Sequence, residues 1–229
     1  MKFNTTEPAF RLRQGTWPLL ISMPHVGTHV PPALAARFTP DARQVHDTDW
    51  HLERLYDFAD AMGASVLVAT HSRYVVDLNR PPDNQNLYPG QDTTGLCPVD
   101  TFDKTSVYSD GDVPDDAEII ARRDAIWQPY HQQLQAELSR LKAAHGTVVL
   151  WDAHSIRSVL PRFFEGRLLT STSARPTAQA AIRNWRRRCL ALAKQQALTK
   201  RFSTAASRAV TSPANTAARQ MACMRFSWR

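Results

Sequence analysis

The stretch VVLWDAHS, Val148–Ser155, decides the fold. Its first four residues are apolar without alternation, the pattern of a strand buried on both faces. The run stops at Asp152-Ala153-His154-Ser155, where three of four side chains are polar. In open α/β sheets, ligands and catalytic groups collect at the carboxyl ends of the strands. A second stretch repeats the design: PLLIS, Pro18–Ser22, runs into Met23-Pro24-His25-Val26-Gly27. Two strand ends each deliver a histidine, and both are read as facing one site.

Working outward, ASVLVATHS (Ala64–Ser72) predicts a strand, and RYVVDLNR (Arg73–Arg80) predicts another that runs into Pro81-Pro82. PPALAARF (Pro31–Phe38) predicts a short helix with proline in its first turn. WHLERLYDFADAMG (Trp50–Gly63) has apolar residues at helical spacing and a closing glycine. A long helix begins at Asp115-Asp116, with acids at its positive end. Pro129 should kink that helix, and Gly146 ends it. Between Asp83 and Pro114 the chain is rich in Pro, Asp, Asn and Gly, which predicts a functional loop or lid. Strand and helix therefore alternate, and the expected fold is α/β with a mostly parallel mixed sheet flanked by helices.

Composition narrows the function classes. The chain has 229 residues, enough for one sizeable domain with an appendage. No apolar run approaches the ~20 residues of a membrane helix, and the first fifteen residues lack a signal-peptide core. The three cysteines, Cys97, Cys189 and Cys223, are too scattered for a disulfide framework or a Cys-based zinc site. A reducing, cytoplasmic home is the expectation. The net charge of +7 divides unevenly: residues 1–167 carry 16 Lys and Arg against 21 Asp and Glu, whereas 168–229 carry 12 against none. A nucleic-acid or anionic-surface binder working through Arg183, Arg186, Arg187 and Arg188 is thus the reading from a different class. The acidic 1–167 segment offers it no supporting patch.

The chemistry is read from the histidines. If His25 and His154 share a divalent ion, a carboxylate would complete three protein ligands and leave a position for water, the catalytic zinc arrangement. Asp49 is the favoured third ligand and Asp47 the next, although an Asp before a helix is also the expected N-cap. His29, four residues after His25, is a rival. Asp152 could orient His154 through its second ring nitrogen. At Asp77-Leu78-Asn79-Arg80, an Arg beside Asn suits recognition of a carboxylate, or an ion pair with Asp77 or Asp83. Phosphate-binding loops, dinucleotide-binding glycine patterns and serine-nucleophile elbows do not occur.

SMPHVGTHVP, DTDWHLERLYDFADAMGA, SRYVVDLNRPP, LYPGQ and WDAHSIRS together resemble the N-formylglutamate amidohydrolase family over about residues 8–167. The resemblance implies a fold like the zinc carboxypeptidases and cleavage of N-formyl-L-glutamate to L-glutamate and formate, in histidine degradation. It implies that His25, Asp49 and His154 hold the metal and that Asn79 and Arg80, with Arg73, hold the substrate's carboxylates. A related deacylase of another N-acyl acidic amino acid is the alternative.

The resemblance stops near Leu168. The family is expected to continue with a Gly-Gly-Tyr-Ile-Thr-Arg segment and a late strand bearing a glutamate general base, whereas residues 168–229 contain no acid. A DNA able to encode Leu169–Thr177 reads Pro-Asp-Phe-Asn-Leu-Gly-Thr-Ala-Asp in another frame. One able to encode Ser207–Ala217 reads Lys-Gly-Gly-Tyr-Ile-Thr-Arg-Gln-Tyr-Gly. The expectation is a frameshift near residue 168, an incomplete domain over 1–167 and a disordered or weakly helical tail (Ala180–Leu198 in particular). Such a chain would expose a sheet edge, lack the base and be poorly folded or inactive.

Overall fold

The computed structural model describes residues 3–85, 93–109, 111–163 and 165–167, and the backbone of 224–226. Strands β1 (Phe10–Arg13), β2 (Leu19–Met23), β3 (Ser65–Ala69), β4 (Val149–Asp152) and β5 (Met224–Phe226) form one sheet in the order β1-β3-β2-β4-β5. The central strands β3, β2 and β4 are parallel, and both edges are antiparallel. The mostly parallel mixed sheet is therefore as expected. β1 was not anticipated: its FRLR alternates half-buried and exposed, as an edge strand should.

Each parallel strand feeds two cores. Leu20, Leu67 and Leu150 pack with Ile126, Tyr130, Leu138 and Leu141 on one face. Leu19, Ile21, Met23, Val66 and Val68 pack with Leu52, Tyr56 and Met62 on the other. All five residues of β2 and of β3 are buried, which accounts for their apolar character, interrupted only by Ser22 and Ser65. In β4 only Leu150 is buried. Its VVLW run is thus less enclosed than the sequence reading held, because β4 lies outside the sheet's centre. The short β5 pairs with β4 from Leu150 to Asp152, so that edge is not left open there. The remainder of the tail, including the 180–198 helical reading, lies outside the described residues.

Three other expectations change. RYVVDLNR is not a strand: Val75 N–H bonds to the Ser72 carbonyl and Arg80 N–H to that of Asp77, so the segment is a chain of turns. Its apolar run reflects burial of Tyr74, Val75 and Val76 in the core rather than extension. The helix read over Trp50–Gly63 is broken into α2 (Leu52–Leu55) and a 3-10 turn at Asp57–Ala59, and His51 before it has φ +67°. The Asp83–Pro114 stretch is no lid over its described part, since Leu96 and Val107 are fully buried.

Elsewhere the punctuation reads correctly. α1 (Pro32–Ala35) starts on proline. Asp115 caps α3 (Asp116–Arg122) by accepting from Glu118 N–H at 2.8 Å. A π turn, Arg123–Trp127, separates α3 from α4 (Gln128–His145) and ends two residues before Pro129. The lost proline donor is accommodated by re-phasing the helix. Gly146, at φ +75°, ends it.

The loop after β2 lies hard against the end of β3. His29 N–H bonds to the Thr70 carbonyl at 3.0 Å and Ser72 N–H to the His29 carbonyl at 2.9 Å. A Cβ on Gly27 would stand 2.3 Å from the His71 carbonyl oxygen. Only glycine permits this approach. Gly27→Ala is expected to cost about 1–3 kcal/mol, the usual range for overpacking, read as a lower urea midpoint.

Candidate metal centre

His25 and His154 leave β2 and β4, parallel neighbours in register from Leu19 with Val149 to Ser22 with Asp152. That register brings the two post-strand loops together, and the imidazole centroids stand 4.9 Å apart. Asp49 reaches them from the segment before α2, whose backbone N–H bonds to the His25 carbonyl at 2.9 Å. Its Oδ2 lies 3.0 Å from His154 Nδ1 and 3.9 Å from His25 Nδ1. The helix-cap role open to Asp49 is not taken: α2 has no side-chain cap.

The outer nitrogens are tied down in the same way. His25 Nε2 donates to Asp77 Oδ1 at 2.7 Å, and His154 Nε2 donates to Asp152 Oδ2 at 3.1 Å. Each imidazole therefore offers Nδ1 inward while a carboxylate takes the opposite N–H, the arrangement that fixes tautomer and ring orientation in histidine metal ligands. One donor atom from each of His25, Asp49 and His154 lies within 4.8 Å of the others, so the group could hold a metal ion. Two imidazoles and a carboxylate fit a borderline divalent ion such as zinc.

Electrostatics separate the two imidazoles. Burial, reinforced by Arg73, keeps the His25 pKa below its usual value despite Asp77, so its Nδ1 lone pair stays available. For His154, burial is outweighed by the bonds to Asp152 and Asp49, and its pKa stands at about 9, so in the metal-free chain Nδ1 carries a proton toward Asp49 that an ion would have to displace. Half-burial pushes Asp152 up, yet His154 and Ser22 hold its pKa below the usual value. Asp77 feels the cost of burial most, yet Arg73 and His25 beside it hold its pKa well below the usual value.

The remaining sequence candidates sort clearly. Asp47 turns away: its Oδ2 accepts from Tyr74 Oη and Phe102 N–H, both at 2.7 Å. His29 packs edge-on against His71 instead, with centroids 4.9 Å apart. Arg73 is buried and bonded to Asp77 Oδ2 at 2.7 Å, so its charge is committed within the protein. Arg80 pairs with neither Asp77 nor Asp83; its guanidinium donates to the Thr94 carbonyl at 2.8 Å and to Thr94 Oγ1 at 3.1 Å. Asn79 is exposed, and its N–H donates to Asp77 Oδ1 at 2.9 Å. The sequence reading missed Asp77 as the pivot joining His25, Arg73 and the Asn79-Arg80 turn. The available signal was a carboxylate directly after the apolar Tyr74-Val75-Val76.

A mixed α/β sheet with a His–Asp–His group at its strand ends defines a class, the α/β proteins with a candidate metal centre beyond the carboxyl edge. The sequence profile of N-formylglutamate amidohydrolase matches residues 17–222. The chain belongs to the N-formylglutamate amidohydrolase family. It is 52% identical over 156 residues to the N-formylglutamate deformylase of Pseudomonas aeruginosa, an alignment covering 68% of this chain and 58% of that protein. The Pseudomonas putida N-formylglutamate deformylase is 48% identical over 155 residues, with the same coverage of each chain. The chain thus spans 58% of the length of these relatives. The profile match runs on past Leu168, near which the resemblance of motifs stops.

Among solved structures, the N-formylglutamate amidohydrolase of Ralstonia eutropha JMP134 superposes with a TM-score of 0.56 at 23% identity, over 65% of this chain and 58% of that one. A gene product of Agrobacterium tumefaciens superposes with a TM-score of 0.56 at 22% identity, over 70% and 60%. Both support the fold. No helix among the described residues is long and apolar enough to cross a membrane.

Proposed function

We propose that the protein hydrolyses the formyl amide of N-formyl-L-glutamate, giving L-glutamate and formate, with a divalent ion, zinc by the donor set, held by His25, Asp49 and His154. The observation that carries the reading is the convergence of both inward Nδ1 atoms on Asp49 Oδ2, at 3.9 and 3.0 Å. A bound ion would polarise the formyl carbonyl and activate water. Asp77 and Asp152 hold the two imidazoles in the orientation this requires. Arg80 and Asn79, pinned beside His25 through Asp77, are the groups assigned to the substrate's carboxylates. Arg73 acts through Asp77 and not on substrate. A base must also take a proton from the water. The resemblance implies a glutamate base beyond residue 167, a segment in which this chain has no carboxylate, so turnover should fall well below that of the Pseudomonas aeruginosa relative.

The test is formate release from N-formyl-L-glutamate with and without added zinc, beside N-acetyl- and N-succinyl-L-glutamate. Slow, zinc-dependent release from the formyl compound alone is expected. Preferential turnover of the acetyl or succinyl compound would move the assignment to a related deacylase. Turnover equal to the relative's would overturn the expected impairment.

A further inference from the structure

Two buried hydroxyls outside the donor set lead straight to it. Ser22 is the last polar residue of a strand that is otherwise Leu19, Leu20, Ile21 and Met23, and it is 2% exposed. Its Oγ donates to Asp152 Oδ1 at 2.7 Å, and it lies 2.9 Å from Tyr130 Oη. A serine hydroxyl has one proton, and a carboxylate can only accept. Ser22 therefore gives its proton to Asp152, and Tyr130 gives its own to Ser22. The chain runs Tyr130 to Ser22 to Asp152, whose other oxygen holds His154 Nε2 at 3.1 Å.

The fold constructs this line rather than merely permitting it. Parallel register sets Ser22 beside Asp152, on the sheet face that also carries Leu20 and Leu150. That face packs on α4, where Tyr130 is 1% exposed. The π turn before Pro129 sets the phase of the new helix. Trp127, Tyr130 and His131, at i, i+3 and i+4, then share one face. Trp127 Nε1 donates to the Arg80 carbonyl at 3.0 Å, and His131 Nε2 lies 2.9 Å from the Leu78 carbonyl. The same turn of helix thus grips the Asn79-Arg80 segment and, through Ser22, the carboxylate behind His154.

We infer that Ser22 and Tyr130 are positioning residues for the metal centre, fixing the Asp152 carboxylate so that His154 presents Nδ1 toward Asp49. Without Ser22, Asp152 would keep one oxygen on His154 while the other lost its protein partner and was free to rotate or to draw in water. Loss of an outer-shell partner costs roughly 10–100-fold in metal affinity. Tyr130, one bond further out, acts only by way of Ser22. The inference rests on the metal reading of His25, Asp49 and His154.

The experiment measures zinc affinity of the full chain by competition with a chromophoric chelator, together with the melting temperature of the metal-free protein. Ser22→Ala is expected to bind zinc about tenfold more weakly, with Ser22→Thr restoring most of the loss. Tyr130→Phe, which keeps the ring's packing, should weaken binding by a few fold and add nothing in the Ser22→Ala background. If both variants melt lower yet bind zinc as tightly as the parent, the hydroxyls only satisfy one another and the inference is overturned. Additive losses would overturn the serial route through Ser22. Should Ser22→Ala fail to fold, Tyr130→Phe against the parent decides: parental affinity overturns the inference, and a few-fold loss supports it. A parent chain that binds no zinc defeats the metal reading, and the relay falls with it.

Discussion

His154→Ala is expected to weaken zinc binding by more than ~100-fold, beyond the ~10–100-fold that loss of an outer-shell partner costs, and His25→Ala to do the same. Each substitution removes one of the two nitrogens that face Asp49 Oδ2 and leaves a donor pair too small to hold the ion as a three-residue site does. The measurement is metal content after dialysis, confirmed by chelator competition. His29→Ala supplies the contrast. His29 is the histidine nearest His25 in sequence, but it stands against His71 with centroids 4.9 Å apart. Its substitution should leave zinc affinity within about twofold of the parent, far short of even an outer-shell loss. A loss at His29 as large as at His154 would show that the donor set is drawn wrongly. Equal retention of zinc in all three variants would remove the metal centre altogether.

The sequence made the strand-end histidines visible because a buried parallel strand leaves an unmistakable apolar run, and the residues immediately after it have few places to point. β2 and β4 were found this way, and with them His25 and His154. β1 escaped because four residues of FRLR carry an edge-strand alternation too short to separate from a loop. The RYVVDLNR segment misled for a related reason: burial alone produces an apolar run, and turns can be buried when carbonyls and side chains satisfy them. Here the Leu96 carbonyl accepts from Asp77 N–H at 2.7 Å. The identity of each carboxylate's partner was not legible. Asp47 and Asp49 are both buried and two residues apart, yet one bonds to Tyr74 and Phe102 while the other faces the histidines. That choice depends on where distant segments arrive, which local spacing does not encode. Asp77 was hidden for the same reason.

The ion pair behind His25 carries the second large expectation. Asp77 has no exposed side-chain surface and Arg73 retains 8%, and their atoms meet at 2.7 Å. Asp77 Oδ1 accepts further from His25 and from Asn79 N–H, while the Arg73 guanidinium also lies 4.5 Å over the Phe102 ring. Removing one member of such a pair strands the other charge in a low-dielectric interior, which typically costs about 3–5 kcal/mol. Arg73→Met, close in size and able to keep contact with Phe102, isolates that charge effect. It should lower stability by about that amount in urea unfolding of the metal-free chain. Arg11 and Glu53, 60% and 50% exposed at 2.9 Å, provide the comparison. Solvent and salt screen them, so Arg11→Met should change the midpoint little. Arg73 is bonded to Asp77, which in turn holds His25, so bracing that carboxylate and gripping substrate give separable results. If Arg73 gripped substrate, Arg73→Met would raise KM for N-formyl-L-glutamate and leave stability intact. If it braces Asp77, stability and zinc affinity fall together, and that is the expected result for a buried guanidinium bonded to Asp77.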